Sequence, residues 1–188
     1  MITEEERGSF LELARKTVAA AAQGYPLPPV PDGEAFRRKG GVFVTLKKNG
    51  MLRGCIGHFR GYMSLGETVV KMAAAAAVDD PRFISVSPDE VADLTISISL
   101  LSPMTRTDAE DVEVGTHGVY VRSGPYSGTL LPQVAAEEGW DREALLSHTC
   151  MKAGLHPDAW RSSGDLELFT YTAEVFSEAR EDERSQET

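Results

Sequence analysis

The hydrophobic positions near the start of the chain recur every three or four residues, which is the period of an amphipathic helix. Thr3 and Glu6 have the spacing of a capping box, in which each side chain hydrogen-bonds the backbone of the other residue. We therefore predict a helix over Glu4–Ala22. A second capping box, Ser64 with Glu67, predicts the start of another helix.

Alternation of apolar and polar residues predicts β-strands, because successive side chains of a strand point to opposite faces. Leu94–Leu101 shows this pattern most clearly, and Asn49-Gly50 suits the positive φ angles of a hairpin turn. Further strands are predicted over 42–47, 51–56, 118–122, 128–131 and 166–175, and a further helix over 141–154. Hairpins and isolated helices in this order predict an α+β fold with a mixed, largely antiparallel sheet and flanking helices.

Length and composition are those of a compact protein with an ordinary hydrophobic core. The chain has 188 residues, of which 41% are hydrophobic, so we expect a single domain over residues 1–176. Residues 177–188 are mostly acidic and polar, and we expect them to form a disordered tail.

The charge and the apolar runs argue against two classes of partner. A net charge of -10 disfavours nucleic acid, whose binding depends on clustered Lys and Arg. No apolar run approaches the roughly 20 residues needed to cross a bilayer, and the N-terminus does not resemble a signal peptide. Cys55 and Cys150 stand alone, as free thiols do. We therefore expect a cytoplasmic protein that binds neither nucleic acid nor membranes.

Standard motifs for metals and cofactors do not occur in the sequence. The four histidines form no H-x-x-x-H pair and the two cysteines form no C-x-x-C pair, so no metal site is predicted. No G-x-G-x-x-G loop follows a strand, and Glu67 occupies the position that lysine holds in a phosphate-binding loop. No cofactor is predicted either.

One segment, Leu52–Gly57, does indicate chemistry. Residues two apart on a strand share a face and lie roughly 6.6 Å apart, so Arg53 and Cys55 are expected to project together. A cation next to a partly exposed cysteine favours the thiolate, which is the nucleophilic form. Gly54 and Gly57 would allow a ligand, an anion or another backbone to approach closely.

A structural role for Cys55 fits the same sequence about equally well. If the hairpin turn has two residues, Cys55 lies opposite Val44, on the face that also carries Val42 and Leu46. A small buried thiol suits that position, because cysteine is among the most frequently buried residue types. Cys150 has no cationic partner at a suitable spacing, so the inert role is favoured there.

The Arg53–Gly57 segment, R-G-C-I-G, resembles the signature of the AMMECR family. Similar segments follow in the family's order at 80–83, 101–103, 117–118, 127–128, 131–134, 138–140 and 152–155, and the resemblance extends from about Gly40 to Phe176. It implies an α+β fold with a larger and a smaller lobe and a cleft near this segment. Prokaryotic members are similar to protein A of the AmmeMemoRadiSam system, so a Memo-type protein and a radical SAM protein are implied as partners.

The sequence is compatible with two functions of different classes, and it does not decide whether the chain is an enzyme. In the first, an enzyme or group carrier, Cys55 is the nucleophile and Arg53 is its electrostatic activator. Gln133 and His117 are then candidate polar neighbours of the thiol. In the second, a non-catalytic binding module, Arg53, the two glycines and Gln133 recognise a small anionic molecule or a partner's segment. Both place Gln133 near Cys55, although Gln133 could instead begin a short helix running to Glu138.

Overall fold

The computed structural model describes residues 2–59, 61–162 and 165–178 and divides the chain into two compact units. The first unit contains the chain up to Leu101 together with the segment from Glu174 onward, and the second contains Ser102–Ala173. The helices are α1 (Glu4–Gln23), α2 (Glu34–Arg37), α3 (Leu65–Val78), α4 (Pro132–Glu137) and α5 (Arg142–Lys152). The strands are β1 (Gly41–Lys48), β2 (Met51–His58), β3 (Leu94–Leu101), β4 (Thr105–Arg106), β5 (Gly118–Ser123), β6 (Tyr126–Leu130), β7 (Glu167–Tyr171) and β8 (Ala173–Ser177).

These strands form two four-stranded sheets. The first has the order β2-β1-β3-β8 and the second has the order β4-β7-β5-β6. β1 pairs antiparallel with both β2 and β3, and in the second sheet β7 pairs antiparallel with β4 and β5. The predicted α+β class with mostly antiparallel pairing is confirmed, and the predicted sheet is divided into two.

Helices α1 and α3 pack on one face of the first sheet. Both predicted capping boxes form, at Thr3 and at Ser64, so local sequence sets where these two helices begin. The sheet contributes alternate apolar residues to the core below the helices, namely Val42, Val44, Leu46, Ile96 and Ile98, all fully buried. The intervening residues of the strands therefore occupy the other face of this sheet.

A β-bulge in the first hairpin changes the register that its turn predicts. Asn49 and Gly50 adopt positive φ angles of 52° and 80°, as the sequence predicts. Leu46 nevertheless pairs with Gly54 while the next residue of β1 pairs with Leu52, which leaves Arg53 as the extra residue of β2.

The bulge moves Cys55 to the other face of the sheet from the one predicted. Cys55 pairs with Thr45, whereas Ile56 is the residue that pairs with Val44. The expectation that Cys55 lies opposite Val44 is therefore wrong. Cys55 is partly exposed, on the face opposite the helices.

The single strand predicted over 166–175 is two strands that belong to different sheets. β7 pairs within the second sheet and β8 belongs to the first. Between them, the backbone N–H of Thr172 donates to Ser102 Oγ, and the carbonyl of Thr172 accepts from the N–H of Ser102. Apolar alternation continues through this crossing, so the pattern alone does not reveal it.

The first two residues of the disordered tail predicted over 177–188 lie within the described residues and are ordered. Ser177 still belongs to β8, and the carboxylate of Glu178 accepts hydrogen bonds from Arg15 and from the N–H of Ile96. The rest of that prediction, 179–188, lies outside the described residues. Within the described part of the chain, every helix is too short or too polar to span a bilayer.

Candidate functional site

The thiol of Cys55 lies at one end of a row of short polar side chains. Its Sγ is 3.3 Å from Thr45 Oγ1 on β1. Thr45 in turn pairs with Ser97 on β3, and Ser97 Oγ is 2.6 Å from Ser177 Oγ on β8. This polar row, Cys55, Thr45, Ser97 and Ser177, crosses all four strands on the face opposite α1 and α3.

The backbone of Cys55 is held by two side chains that follow helix α3. β2 is an edge strand, so its outward N–H and C=O groups have no neighbouring strand to bond. The N–H of Cys55 donates to Asp80 Oδ2 at 2.8 Å, and Arg82 Nη2 donates to the carbonyl of Cys55 at 3.1 Å. Asp80 and Arg82 thus take the place of a strand at this point and fix the position of the thiol.

Asp80 and Arg82 also form a strong ion pair with each other. Arg82 Nε and Nη2 donate to the two carboxylate oxygens at 2.9 and 2.7 Å, and the Asp80 side chain is only 2% exposed. The hydrogen bonds from Arg82 hold the pKa of Asp80 far below its ordinary value, and the backbone N–H groups of Cys55 and Arg82 act in the same direction. The Asp80 carboxylate therefore stays ionised and is a poor general base.

Arg82 is the cation that the structure places beside Cys55. Its Nη2 donates to the carbonyl of Cys55, and its pKa is raised, chiefly by the hydrogen bond to Asp80. The guanidinium also lies 5.4 Å from the centre of the Phe83 ring. Arg82 is therefore charged at neutral pH.

Arg53, the activator predicted from sequence, is bound elsewhere. Its Nε and Nη2 donate to the two carboxylate oxygens of Glu90 at 2.9 and 3.1 Å, and its Nη1 donates to the carbonyl of Ile84 at 2.9 Å. Within the described residues it makes no hydrogen bond to Cys55. The bulge is the reason, since Arg53 is the extra residue of β2 and does not alternate regularly with Cys55. Arg82, and not Arg53, is the arginine that hydrogen-bonds Cys55, through the backbone carbonyl, and a role of Arg53 at the site stays a prediction.

Glu90 joins Arg53 of β2 to Lys48 of β1. It also accepts a hydrogen bond from Lys48 at 3.3 Å, and its side chain is 15% exposed. The hydrogen bond from Arg53 lowers the pKa of Glu90 to about 2, with Lys48 acting in the same direction. These contacts make Arg53 part of a mostly buried ionic network, whereas the sequence predicts an arginine that faces a cleft.

The two glycines of the motif are positions of close packing within the protein. A Cβ at Gly54 would lie 2.1 Å from the carbonyl oxygen of Ala76 in α3. A Cβ at Gly57 would lie 2.1 Å from the ring of Phe43. The predicted close approach of another backbone is thus found at Gly54, and an aromatic ring covers Gly57. The protein's own atoms occupy the space beside each glycine, where a ligand was expected.

Comparison with known proteins identifies the family. A family model described as AMMECR1 matches residues 11–176. The chain belongs to the AMMECR1 family. It is 43% identical to protein MK0488 of Methanopyrus kandleri over 92% of this chain and 89% of that protein. It is 40% identical to protein TK0174 of Thermococcus kodakarensis over 93% and 92%.

A solved structure supports the fold of this AMMECR1-family chain. The crystal structure of the uncharacterized protein PH0010 from Pyrococcus horikoshii is similar with a TM-score of 0.87. The two sequences are 37% identical, and the match covers 94% of this chain and 93% of that one. The likeness extends through both units and therefore supports the fold of each.

His117 and Gln133, the other predicted site residues, belong to the second unit. His117 Nδ1 accepts the N–H of Glu113 and so stabilises the turn before β5. Gln133 lies in the first turn of α4, the short helix predicted there, and the N-cap residue of α4, Leu131, makes no side-chain cap. The buried Oε1 of Gln133 has no hydrogen-bond partner among the described residues. The predicted proximity of both residues to Cys55 stays a prediction.

Cys150, the second thiol, has the buried environment that its inert role requires. It is fully buried in the second unit among Leu145, Leu146 and Ala153. Burial raises the pKa of its thiol. The two cysteines of this AMMECR1-family chain therefore differ in exposure and in surroundings.

Asp80 and Arg82 are the functional-site residues that reasoning from the sequence missed. Their segment, Asp80–Phe83, contributed to the family resemblance but was given no role there. Asp80 is 25 residues from Cys55 along the chain, and the spacing gives no indication of contact. The one local signal is that two charged residues directly follow α3, at the end of a helix that packs on β2. Across the described residues, no three His, Cys, Asp or Glu side chains are grouped to hold a metal ion.

Proposed function

We propose that this AMMECR1-family chain is a cysteine-dependent group carrier or enzyme in which Cys55 is the nucleophile. One observation carries the proposal: Cys55 is partly exposed, and its backbone is fixed on both sides by Asp80 and Arg82. A held thiol next to a cation suits covalent attachment of a group. Thr45 Oγ1, at 3.3 Å from the sulfur, supports the same role because it can donate a hydrogen bond to it.

A group carrier fits this environment better than an enzyme with its own general base. Among the described residues, Thr45 is the hydrogen-bond partner of the thiol, and a hydroxyl is a weak base. Asp80 is held ionised by Arg82 and does not contact the sulfur through a hydrogen bond. A carrier thiol needs no base from the protein, because solvent or a partner protein can take its proton.

The proposed carrier works in the cytoplasm with a Memo-type protein and a radical SAM protein. The family resemblance supports these partners, and a reducing compartment would keep both thiols free. The test is to produce the chain together with both proteins and to measure the mass of the isolated chain. We expect an added mass on the Cys55 peptide that is missing from Cys55→Ser. Unmodified Cys55 under all such conditions would argue against a carrier.

Alkylation of the native chain tests the nucleophile directly. With iodoacetamide at neutral pH, we expect Cys55 to be modified in the folded protein and Cys150 to be modified only after unfolding. The reason is that Cys150 is fully buried and its pKa is raised. Peptide mass spectrometry measures both rates in one sample. Faster modification of Cys150, or modification of Cys55 only after unfolding, would remove the nucleophilic role.

A non-catalytic binding module is the second candidate. The observation in its favour is that the thiol contacts no histidine or carboxylate by a hydrogen bond within the described residues. A module would keep its partners when the sulfur is replaced, whereas a carrier would lose its transferred group. Co-purification of both partners with Cys55→Ala, without any adduct on the wild-type chain, would favour the module.

A further inference from the structure

We infer that the Cys55 site takes a substrate or carried group bearing a carboxylate or similar oxyanion, and that Arg82 binds this anion. The inference rests on the proposed nucleophilic role of Cys55 and goes further by naming the chemistry of the group. It also moves anion recognition from Arg53, where the sequence predicts it, to a residue 27 positions beyond Cys55.

Asp80 fixes the orientation of the Arg82 guanidinium. Nε and Nη2 are committed to Asp80, and Nη2 also donates to the carbonyl of Cys55. Nη1 has no hydrogen-bond partner among the described residues, and the side chain is 53% exposed. Within the described residues, the two N–H groups of Arg82 Nη1 therefore have no acceptor, while Nη2 lies 3.1 Å from the carbonyl oxygen of Cys55.

A guanidinium fixed in this way binds an anion more favourably than a mobile surface arginine. Holding a long side chain in one conformation opposes binding, because rotamer entropy is lost. The buried carboxylate of Asp80 has already fixed Arg82, so an incoming oxyanion does not have to order it. Arg53 offers less, since Glu90, Ile84 and Ser85 accept from all three of its nitrogens and its side chain is only 13% exposed.

The polar row adds donors of the same kind on the same face. Thr45 lies 3.3 Å from the sulfur, and Ser97 lies on the next strand of the sheet. A group attached to the thiol would therefore have the Thr45 hydroxyl as well as the guanidinium nearby. Hydroxyls and a guanidinium together suit an oxygen-rich anion.

Two alkylating reagents of similar size but different charge test the inference. Iodoacetate carries a carboxylate and iodoacetamide is neutral. In both reactions the Cys55 sulfur forms a bond to carbon while the carbon–iodine bond breaks, iodide leaves with the electron pair, and solvent takes the thiol proton. The measured quantity is the ratio of the two rates at Cys55, divided by the same ratio for free N-acetylcysteine. We expect this normalised ratio, iodoacetate over iodoacetamide, to be about 5 at low salt and to fall as salt is added.

Variants connect the preference to Arg82. Arg82→Gln is expected to bring the normalised ratio back to about one. Arg82→Lys keeps the charge but lacks the paired N–H donors of the guanidinium, so we expect an intermediate ratio. Lys71→Gln is the matched control, because it removes one positive charge from the exposed face of α3 and should leave the ratio unchanged. Melting curves show whether each variant is folded. If a variant does not fold, the normalised ratio of the wild type and its dependence on salt still test the inference.

The outcomes separate this inference from the proposed function. If neither reagent modifies Cys55 in the folded chain, the nucleophilic role fails and the inference fails with it. If both reagents modify Cys55 with a normalised ratio of one, the nucleophile stands and anion recognition is overturned. Anion recognition by Arg82 is also overturned if the normalised ratio is high in the wild type and equally high in a folded Arg82→Gln variant.

Discussion

The carboxylate of Asp80 accepts the backbone N–H of Cys55 at 2.8 Å, although 25 residues separate them in sequence. The same carboxylate accepts two hydrogen bonds from Arg82. One buried group therefore closes the open edge of β2 and sets the direction of the cation beside the thiol. The stability of the edge and the geometry of the candidate site depend on the same residue.

Replacing Asp80 should destabilise the first unit. Asp80→Ala leaves the N–H of Cys55 without its acceptor and Arg82 without its partner, so we expect a loss of about 3 kcal/mol in the free energy of unfolding. Asp80→Asn should lose about half as much, because its amide oxygen can still accept from Cys55. Urea unfolding measures both. Asp32→Asn, at a fully exposed aspartate, is the control, and an Asp80→Ala as stable as this control would refute the structural role.

Gly54 and Gly8 form a matched pair of glycine-to-alanine substitutions. Gly54→Ala forces a Cβ against the carbonyl of Ala76, so α3 must shift and we expect a loss of about 2 kcal/mol or more. A Cβ added at Gly8, inside α1, would have no other atom within 4 Å. Gly8→Ala should therefore stabilise the folded chain by about 0.5–1 kcal/mol, because alanine has the higher helix propensity. Melting temperatures should therefore move in opposite directions. Equal shifts would mean that α3 does not pack on Gly54 as described.

Arg53→Ala should affect stability strongly. The substitution leaves the mostly buried Glu90 without its bidentate partner, so we expect a loss of about 3 kcal/mol. Arg37→Ala is the control, since Arg37 is exposed and its ion pair with Asp32 should contribute under about 1 kcal/mol. If chemical unfolding gives the same small loss for both variants, Arg53 is free for the functional role that the sequence predicts.

The pH dependence of stability should report on Glu90. Its folded-state pKa is lowered from an ordinary 4.5 to about 2, chiefly by the hydrogen bond from Arg53. A lowered folded-state pKa stabilises the folded chain fully above the unfolded pKa, and this stabilisation is lost as the pH falls from about 4.5 towards 2. A difference of this size corresponds to roughly 3 kcal/mol.

Glu90→Gln isolates this contribution from that of Asp80, whose pKa is lowered as well. We expect the variant to be less stable than the wild type at pH 7 and to lose less stability between pH 5 and pH 2.5. Urea unfolding across this range is the measurement. Parallel curves for the two proteins would show that Glu90 titrates normally in the folded state.

Most of the local structure, and the position of one candidate residue, can be predicted from the order of the amino acids. Capping boxes at Thr3 and Ser64, the turn at Asn49-Gly50 and the alternation of β3 act over a few residues, so their outcome is readable from spacing. Cys55 was identified as a candidate from its segment alone, and the family followed from the same segment.

The tertiary structure decided which groups surround the thiol. Side chains of a strand alternate between faces, so the single extra residue at Arg53 transferred Cys55 from the core face to the opposite face of the sheet. Asp80 and Arg82 reach Cys55 only because α3 packs on β2 and brings the chain back to the edge of the sheet. Contacts of this kind depend on strand register and on the path of the chain between distant segments. The spacing of neighbouring residues predicts neither of these.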